Sequence, residues 1–599
     1  TIPMMKRVGF TAEKAGAVEV ASSVNGQIMP PVMGAAAFLM VEYVGLTYVE
    51  VITHAFLPAL ISYIALVYIV HLEALKAGMS GIAKTGPITP LLTKLSSVLF
   101  GFLCVSALSA LVYYGLGWIK PTFGNAASWI IGSLLIMCYV GLVRTSANVP
   151  DLALDDPNSK IVTLPDFKTT AKSGLHFILP VVVLVWCLMV ERLSPGLSAF
   201  WASLLMMFIL ITQKPLFAWF RGQQKVAIKA ALGEGWQALL EGLISGARNM
   251  IGIGIATATA GLIVGVVSLT GVGSVLADVV ETLSMGNLFL MLVLTALLSL
   301  ILGMGLPTTA NYIVVSSLLA PVIVTLGQES GLIVPLIAVH LFVFYFGIVA
   351  DVTPPVGLAS FAAAAVSGGD PIKTGFVAFF YSLRTAMLPF LFIFNTDLLL
   401  IDVEPLHAVL VFVVSTLGML VFTAATQGFL LVRCKPYEIA LLLLVAFSLF
   451  RPGFWMDRIV PPYQQVSGAS LQTDLIKMPH DQPIKLFIQG QDQFGDNREF
   501  VTLLTLPEGN SVPDRVSNAG LELLESNGQT IIDMVSYGSI AAKAGLSFDQ
   551  VIQAVEVPNE QPAKEWIFVP AVGLLALILQ GQRRRKALES SVNSAPITA

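Results

Sequence analysis

The sequence predicts an all-α polytopic membrane protein with inverted repeats, broken helices and a re-entrant hairpin, carrying a small β-rich soluble domain. Three observations predict it. Apolar runs of bilayer length recur along most of the chain, two distant stretches share a Pro-Pro break, and one polar stretch near the C-terminus alternates like strands. Of 599 residues, 56% are hydrophobic and 12% charged. Soluble domains carry about 25% charge, and no soluble core hides this much apolar surface. A net charge of -4 gives no footprint for nucleic acid. Cys104, Cys138 and Cys187 lie in apolar runs and Cys434 in a short basic loop, without CxxC spacing, so they read as packing residues. The start at Thr1-Ile2-Pro3 reads as a fragment or processed product.

A helix needs roughly 20 apolar residues to cross a bilayer. Clear spans fall near 51–75, 95–115, 124–143, 174–191, 197–213, 249–269, 375–401 and 405–432. A shorter one follows at 437–450 and a last one at 566–580. The regions 8–44, 287–326 and 332–366 are apolar but interrupted. Basic residues then orient the chain: Lys76, Lys84 and Lys94 in one loop; Arg144, Lys160, Lys168 and Lys172 in another; Lys214, Arg221, Lys225 and Lys229 in a third. Arg433 and Lys435 mark a fourth, and Arg583 to Lys586 follow the last span. The alternate loops hold Lys120, Arg192 or no base, so the basic loops are cytoplasmic.

That orientation puts 451–565 on the outer side, the periplasm of a Gram-negative cell. Its runs Ile484–Ile488, Phe500–Leu504 and Thr530–Val535 alternate like strands, with a turn signal at Ser526-Asn527-Gly528. Ser539 to Leu546, then Asp549-Gln550-Val551-Ile552, resembles the back half of a PDZ domain, a fold that binds peptides by strand addition. A β-rich cap without a ligand is the plainer alternative. The expected division is 1–432 for a membrane transport and scaffold domain, 433–450 for a further transmembrane helix, 451–565 for the outer domain, and 566–599 for a final helix with a basic cytoplasmic tail.

The two interrupted stretches match. Pro30-Pro31-Val32-Met33-Gly34-Ala35-Ala36-Ala37-Phe38 and Pro354-Pro355-Val356-Gly357-Leu358-Ala359-Ser360-Phe361 differ in length by one inserted residue. Pro-Pro within an apolar span breaks a helix. The first copy follows Lys6, Arg7 and Lys14 and rises from the cytoplasm; the second descends toward Lys373. Inverted repeats of broken helices build binding sites at the bilayer midplane. Gly303-Met304-Gly305-Leu306-Pro307-Thr308-Thr309-Ala310-Asn311 divides another apolar region into two arms of about 15 residues, too short to cross alone. It reads as a hairpin tip, with a single kinked helix as the alternative. Each half-helix that enters a break ends in free carbonyls suited to a cation, and each that leaves begins with N–H groups suited to an anion. Thr308, Thr309, Asn311 and Thr353 add neutral oxygens, a donor set for a hard ion such as Na⁺. Symmetry calls for a first hairpin upstream of Pro3.

Gly26 to Phe38, Leu302 to Tyr312, and His340 to Phe346 with Thr353-Pro354-Pro355-Val356 resemble the large membrane subunit of TRAP transporters in its fused TAXI form, over about 1–432. The resemblance implies an elevator-type transporter driven by Na⁺, in a Gram-negative inner membrane, with no other cofactor. Its implied partners are a periplasmic substrate-binding protein, a small membrane subunit fused upstream or separate, and the lipid bilayer. Small organic acids, mostly carboxylates, are its implied substrates. One Na⁺ site maps to Gly26, Met29 and Pro31 and a second to Gly305, Ala350, Thr353 and Val356. Thr308, Thr309, Asn311, Pro355 and Gly357 are the candidates for substrate binding. The C-terminal region is similar to a domain appended to some members.

Asp351 reads as a cation or proton site, as a residue paired away with Arg384, or as a solvated wall residue. Arg248 reads as an anion contact or an interfacial residue, and His340 as packed core. An intramembrane metalloprotease would need HExxH, and the nearest approach is His71-Leu72-Glu73-Ala74-Leu75, so that enzyme class is excluded. A pure scaffold or receptor would not need inverted broken helices, and a sodium/dicarboxylate elevator symporter that works without a binding protein is the runner-up.

The charge map makes a direct prediction. Topology reporters fused at Ser511 will read as outside and those fused after Lys586 as cytoplasmic. A cytoplasmic reading at Ser511 would remove the outer-domain assignment.

Overall fold

A computed structural model describes residues 1–31, 33–79, 90–149, 167–270, 275, 279, 282–285, 287–303, 308–329, 332–355, 357–461, 463–467, 483–491, 497–507, 512–526, 529–559 and 561–593. The expected hairpin turn at 304–307, which includes Gly305, lies outside them, as do Val32 and Val356.

The N-terminal helices are α1 (Ile2–Val8), α2 (Ala12–Asn25), α3 (Ala35–Val44) and α4 (Tyr48–Lys76). Next come α5 (Leu91–Phe123), α6 (Ala127–Ala147), α7 (Phe167–Gly174), α8 (Leu179–Met189), α9 (Pro195–Phe220) and α10 (Lys225–Thr270). The second interrupted region gives α11 (Leu288–Gly303), α12 (Thr308–Glu329), α13 (Leu336–Ala350), α14 (Leu358–Ser367) and α15 (Pro371–Phe394). Then follow α16 (Pro405–Gln427), α17 (Pro436–Phe450) and α18 (Pro452–Ile459). The soluble region holds strands β1 (Tyr463–Ser467), β2 (Pro483–Gln491), β3 (Asn497–Thr505), β4 (Leu521–Ser526), β5 (Gln529–Val535) and β6 (Val551–Pro558), with short helices α19 (Val512–Asn518) and α20 (Ile540–Lys543). The last helix is α21 (Phe568–Asn593).

Among the described residues, eight helices are long and apolar enough to cross a membrane. Three details depart from the sequence expectation. The span at 249–269 is the second half of the 46-residue α10, because residues 225–248 are rich in Ala and Leu and contain no proline. Arg248 is therefore an exposed residue in mid-helix. The second hairpin arm, α12, has 22 residues and is longer than its 16-residue partner α11. The span at 437–450 turns by 80° into α18, with Pro452 in the first turn of the new helix.

The chain forms two compact units. One comprises residues 3–9 and 78–255. Its α6, α8 and α9 pack around Tyr139, Val143, Leu179 and Ile209. The Tyr139 hydroxyl meets that of Thr212 at 2.8 Å, and Arg221 donates to the Ala147 and Val149 carbonyls.

The other unit comprises residues 1–2, 10–77 and 256–599. Here α2 packs on α14 and α15, α3 on α12 and α13, and α11 on α12 and α13. Glu73, 4% exposed, holds Lys14 at 2.6 Å and Lys76 at 2.7 Å, tying α2 to α4. Glu438, equally buried, accepts from Arg585 and Gln582 and fixes α17 to α21. The soluble part is one antiparallel sheet in the order β3-β2-β6-β5-β4, with β1 also on β6. Ile484, Leu486 and Ile488 point to one face at the period of a strand and pack with Leu504, Ile532 and Ile552. All three runs singled out as strand-like lie in strands of this sheet.

Candidate functional site

At the first break, α2 stops at Asn25 and a 3-10 turn carries Gly26 to Ile28. Met29 is extended, and a cis Pro30–Pro31 bond leads to Gly34, which starts α3. The loose backbone is satisfied locally. The Gly34 N–H donates to the Gln27 carbonyl at 2.7 Å, and the Tyr48 hydroxyl donates to the Pro31 carbonyl at 2.7 Å. At the second break α13 ends at Ala350, and cis Pro354–Pro355 leads to Gly357, which starts α14. The Thr353 N–H donates to the Ala350 carbonyl, its hydroxyl to the Val349 carbonyl at 2.8 Å, and its own carbonyl accepts from Gly357. Gly357 has no room for a side chain, since a Cβ there would lie 2.9 Å from the Val352 carbonyl carbon.

The repeat extends past the breaks. Both α3 and α14 have ten residues and end on a left-handed glycine, Gly45 and Gly368. The spacing from Gly34 to Gly357 recurs between Tyr48 and Pro371, the first residues of α4 and α15. It recurs again between Ser62 and Thr385, 323 residues apart, whose hydroxyls are hydrogen-bonded at 3.3 Å. One residue more, for the inserted Met33, pairs Gln27 with Asp351, and the Gln27 side chain lies beside that carboxylate. Equivalent residues of the two copies thus touch along a seam.

Asp351 is the centre of that seam. Its Oδ2 accepts from the Thr308 hydroxyl at 2.6 Å, at the first residue of α12, and the Gln27 side chain lies beside its carboxylate. Both breaks and the start of the second hairpin arm therefore converge on one carboxylate. Of the three alternatives for Asp351, pairing with Arg384 is ruled out, because Arg384 donates to the Ser62 and Tyr381 carbonyls instead.

The other expected residues divide. Thr308 is buried and Thr309 half-buried at the α12 N-terminus; Pro355 and Gly357 lie at the start of α14. Asn311 is turned inward, fully buried, with Nδ2 on the Ser299 carbonyl at 2.9 Å and Oδ1 without a partner among the described residues. It sits where the arms cross: a Cβ on Gly303 would lie 2.5 Å from Asn311 Nδ2 and 2.3 Å from Ala350 Cβ. His340 is packed core, its Nδ1 on the Tyr312 hydroxyl at 2.7 Å and its ring stacked on Tyr43. Gln27, Tyr48, Ser62 and Thr385 were not singled out from the sequence. Extending the repeat spacing beyond the Pro-Pro motif would have found the Gln27 and Ser62 pairings.

Broken helices paired by an internal repeat at membrane depth define a multi-pass secondary transporter. Residues 1–407 match the family "Tripartite ATP-independent periplasmic transporter, DctM component", and the chain belongs to that family. It is a transporter family, not an enzyme family, and it works with a periplasmic binding protein in a lipid membrane. The match ends at the start of α16, and residues 408–587 match a domain of unknown function (DUF3394). A search of curated proteins finds no match for the chain.

The crossing of the hairpin arms gives a stability prediction. Gly303→Ala will lower the melting temperature of the purified protein, since overpacking of this kind costs about 1–3 kcal/mol. Unchanged melting would mean that α11 does not approach Ala350 and Asn311.

Proposed function

We propose that this chain is the membrane subunit for sodium-driven uptake of small organic anions, carboxylates above all, in the fused TAXI form of its family. It lies in the inner membrane of a Gram-negative cell and receives substrate from the periplasmic binding protein. A small membrane subunit, fused upstream or separate, completes the assembly, and the transport part moves as an elevator. The observation that carries this reading is the convergence of Gln27, Thr308 and Asp351, because it brings both breaks and a hairpin arm to one point. Transport through such a point requires a charged solute to be neutralised. A lone carboxylate entering the membrane interior loses several kcal/mol of hydration, and a cation bound beside it offsets that loss.

The coupling ion sits at the second break. The end of α13 supplies the Ala350 carbonyl, Thr353 supplies hydroxyl and carbonyl oxygens, and Val356 and Gly305 complete the set. The Thr353 hydroxyl donates its proton to the Val349 carbonyl, which leaves its oxygen lone pairs to accept a cation. The substrate carboxylate meets the N-termini of α12 and α14, at Thr308, Thr309, Pro355 and Gly357, while Asn311 acts from beneath by holding the arms.

Uptake by the full-length protein in liposomes will require Na⁺ and the cognate binding protein. Thr353→Ala removes a charge-assisted contact worth about 1.5–3 kcal/mol and will raise the half-saturating Na⁺ concentration about tenfold or more. Unaltered Na⁺ dependence in that variant would exclude Thr353 as a ligand. Full uptake without the binding protein would favour a self-sufficient sodium/dicarboxylate symporter.

A further inference from the structure

Arg384 lies in the membrane-spanning α15 and is 2% exposed. An ionisable side chain at such depth faces a watery cavity or pairs with a partner. Arg384 is enclosed instead, and among the described residues it pairs with no carboxylate. Its partners are neutral oxygens. Nε donates to the Ser62 carbonyl at 3.0 Å and one terminal nitrogen to the Tyr381 carbonyl, while the other has no partner among the described residues. Around it, Asn25 Nδ2 donates to the Ser62 hydroxyl at 3.0 Å, and the Thr385 hydroxyl donates to Asn25 Oδ1 at 3.3 Å. All four residues are almost wholly buried.

Asn25 is the last residue of α2, so this shell lies against the carbonyl end of the first broken helix. Carbonyl, hydroxyl and amide oxygens form a set that suits a hard cation, and here a side-chain cation lies beside it, bonded to the Ser62 carbonyl. The repeat exposes the substitution. At the spacing that pairs Ser62 with Thr385, the counterpart of Arg384 is Ile61, which cannot carry charge. The counterpart of Asp351 is Gln27. One positive and one negative side chain are thus added to the second copy alone, and the positive one bonds Ser62, which in turn bonds Asn25 at the end of α2.

We propose that the Arg384 guanidinium is a tethered cation that takes the place of one coupling ion at the first break, so that Na⁺ from solution loads the second break alone. This rests on the sodium-coupled function above, and it replaces the ion that the family resemblance implies at Gly26, Met29 and Pro31. A tethered charge travels with the protein and is never released, so each turnover delivers one Na⁺ fewer.

The test is equilibrium binding of radiolabelled Na⁺ to the purified full-length protein, using Na⁺ alone as probe. Arg384→Gln will bind one Na⁺ more per chain than the parent, and Arg384→Lys will bind the parental number. A parental count in Arg384→Gln overturns the proposal. Should that variant fail to fold, Thr353→Ala in the parent decides: every bound Na⁺ will weaken, and a Na⁺ retained at parental affinity overturns the proposal. A parent that binds no Na⁺ would remove the sodium-coupled reading instead. A Na⁺ gained by Arg384→Gln would still uphold the tether, and no gain would overturn it.

Discussion

A backbone that leaves the helical ladder inside a bilayer must find other partners for its N–H and C=O groups, since lipid offers none. Everything distinctive in this chain follows from meeting that requirement twice. Tyr48 from α4 caps the Pro31 carbonyl, and Gly34 closes on Gln27. At the second break Thr353 satisfies Ala350 and Val349, and Gly357 returns to Thr353. Each of these bonds fixes the angle at which the next half-helix leaves. The ten-residue helices α3 and α14 can then begin with free N–H groups beside the carbonyl ends of α2 and α13.

Satisfying the backbone does not by itself bring the two copies together. Side-chain pairs between equivalent positions do: Gln27 with Asp351, and Ser62 with Thr385. These contacts lie on the approximate two-fold of the repeat, where a residue necessarily meets its own counterpart. The departures from symmetry are chemical rather than architectural. Asp351 replaces an amide by a carboxylate, and Arg384 replaces an isoleucine by a guanidinium. The backbone is preserved at both positions, whereas the electrostatics of the two breaks differ.

Most of the architecture was legible in the residues. Apolar run length gave the spans, Pro30-Pro31 and Pro354-Pro355 gave the breaks, and period-two alternation gave β2, β3 and β5. Hydropathy could not show that the stretch from Lys225 is already helical, because a solvated helix and a basic loop have the same polarity. Nor could it show the 80° turn after Phe450, since Pro452 signals a break without its angle. At the site, Thr308 and Thr353 stood out as hydroxyls beside proline. Asn311 stood out on the same ground, and the close approach of Gly303 turns its side chain into the arm crossing. Gln27, Ser62 and Thr385 are ordinary polar residues in apolar surroundings, legible in the sequence only when the repeat spacing is carried past the Pro-Pro motif.

The central claim is that the two copies are joined at equivalent residues, and it is tested most directly by cross-linking. In a background without native cysteines, Ser62→Cys combined with Thr385→Cys should oxidise to a disulfide, detected by mass spectrometry of the linked peptides. Their hydroxyls lie 3.3 Å apart, within the reach of a disulfide's side chains. The account predicts linkage for this pair and none when either cysteine is moved two residues along its helix. Absence of the linked peptide, or equal linkage in the displaced controls, would contradict it.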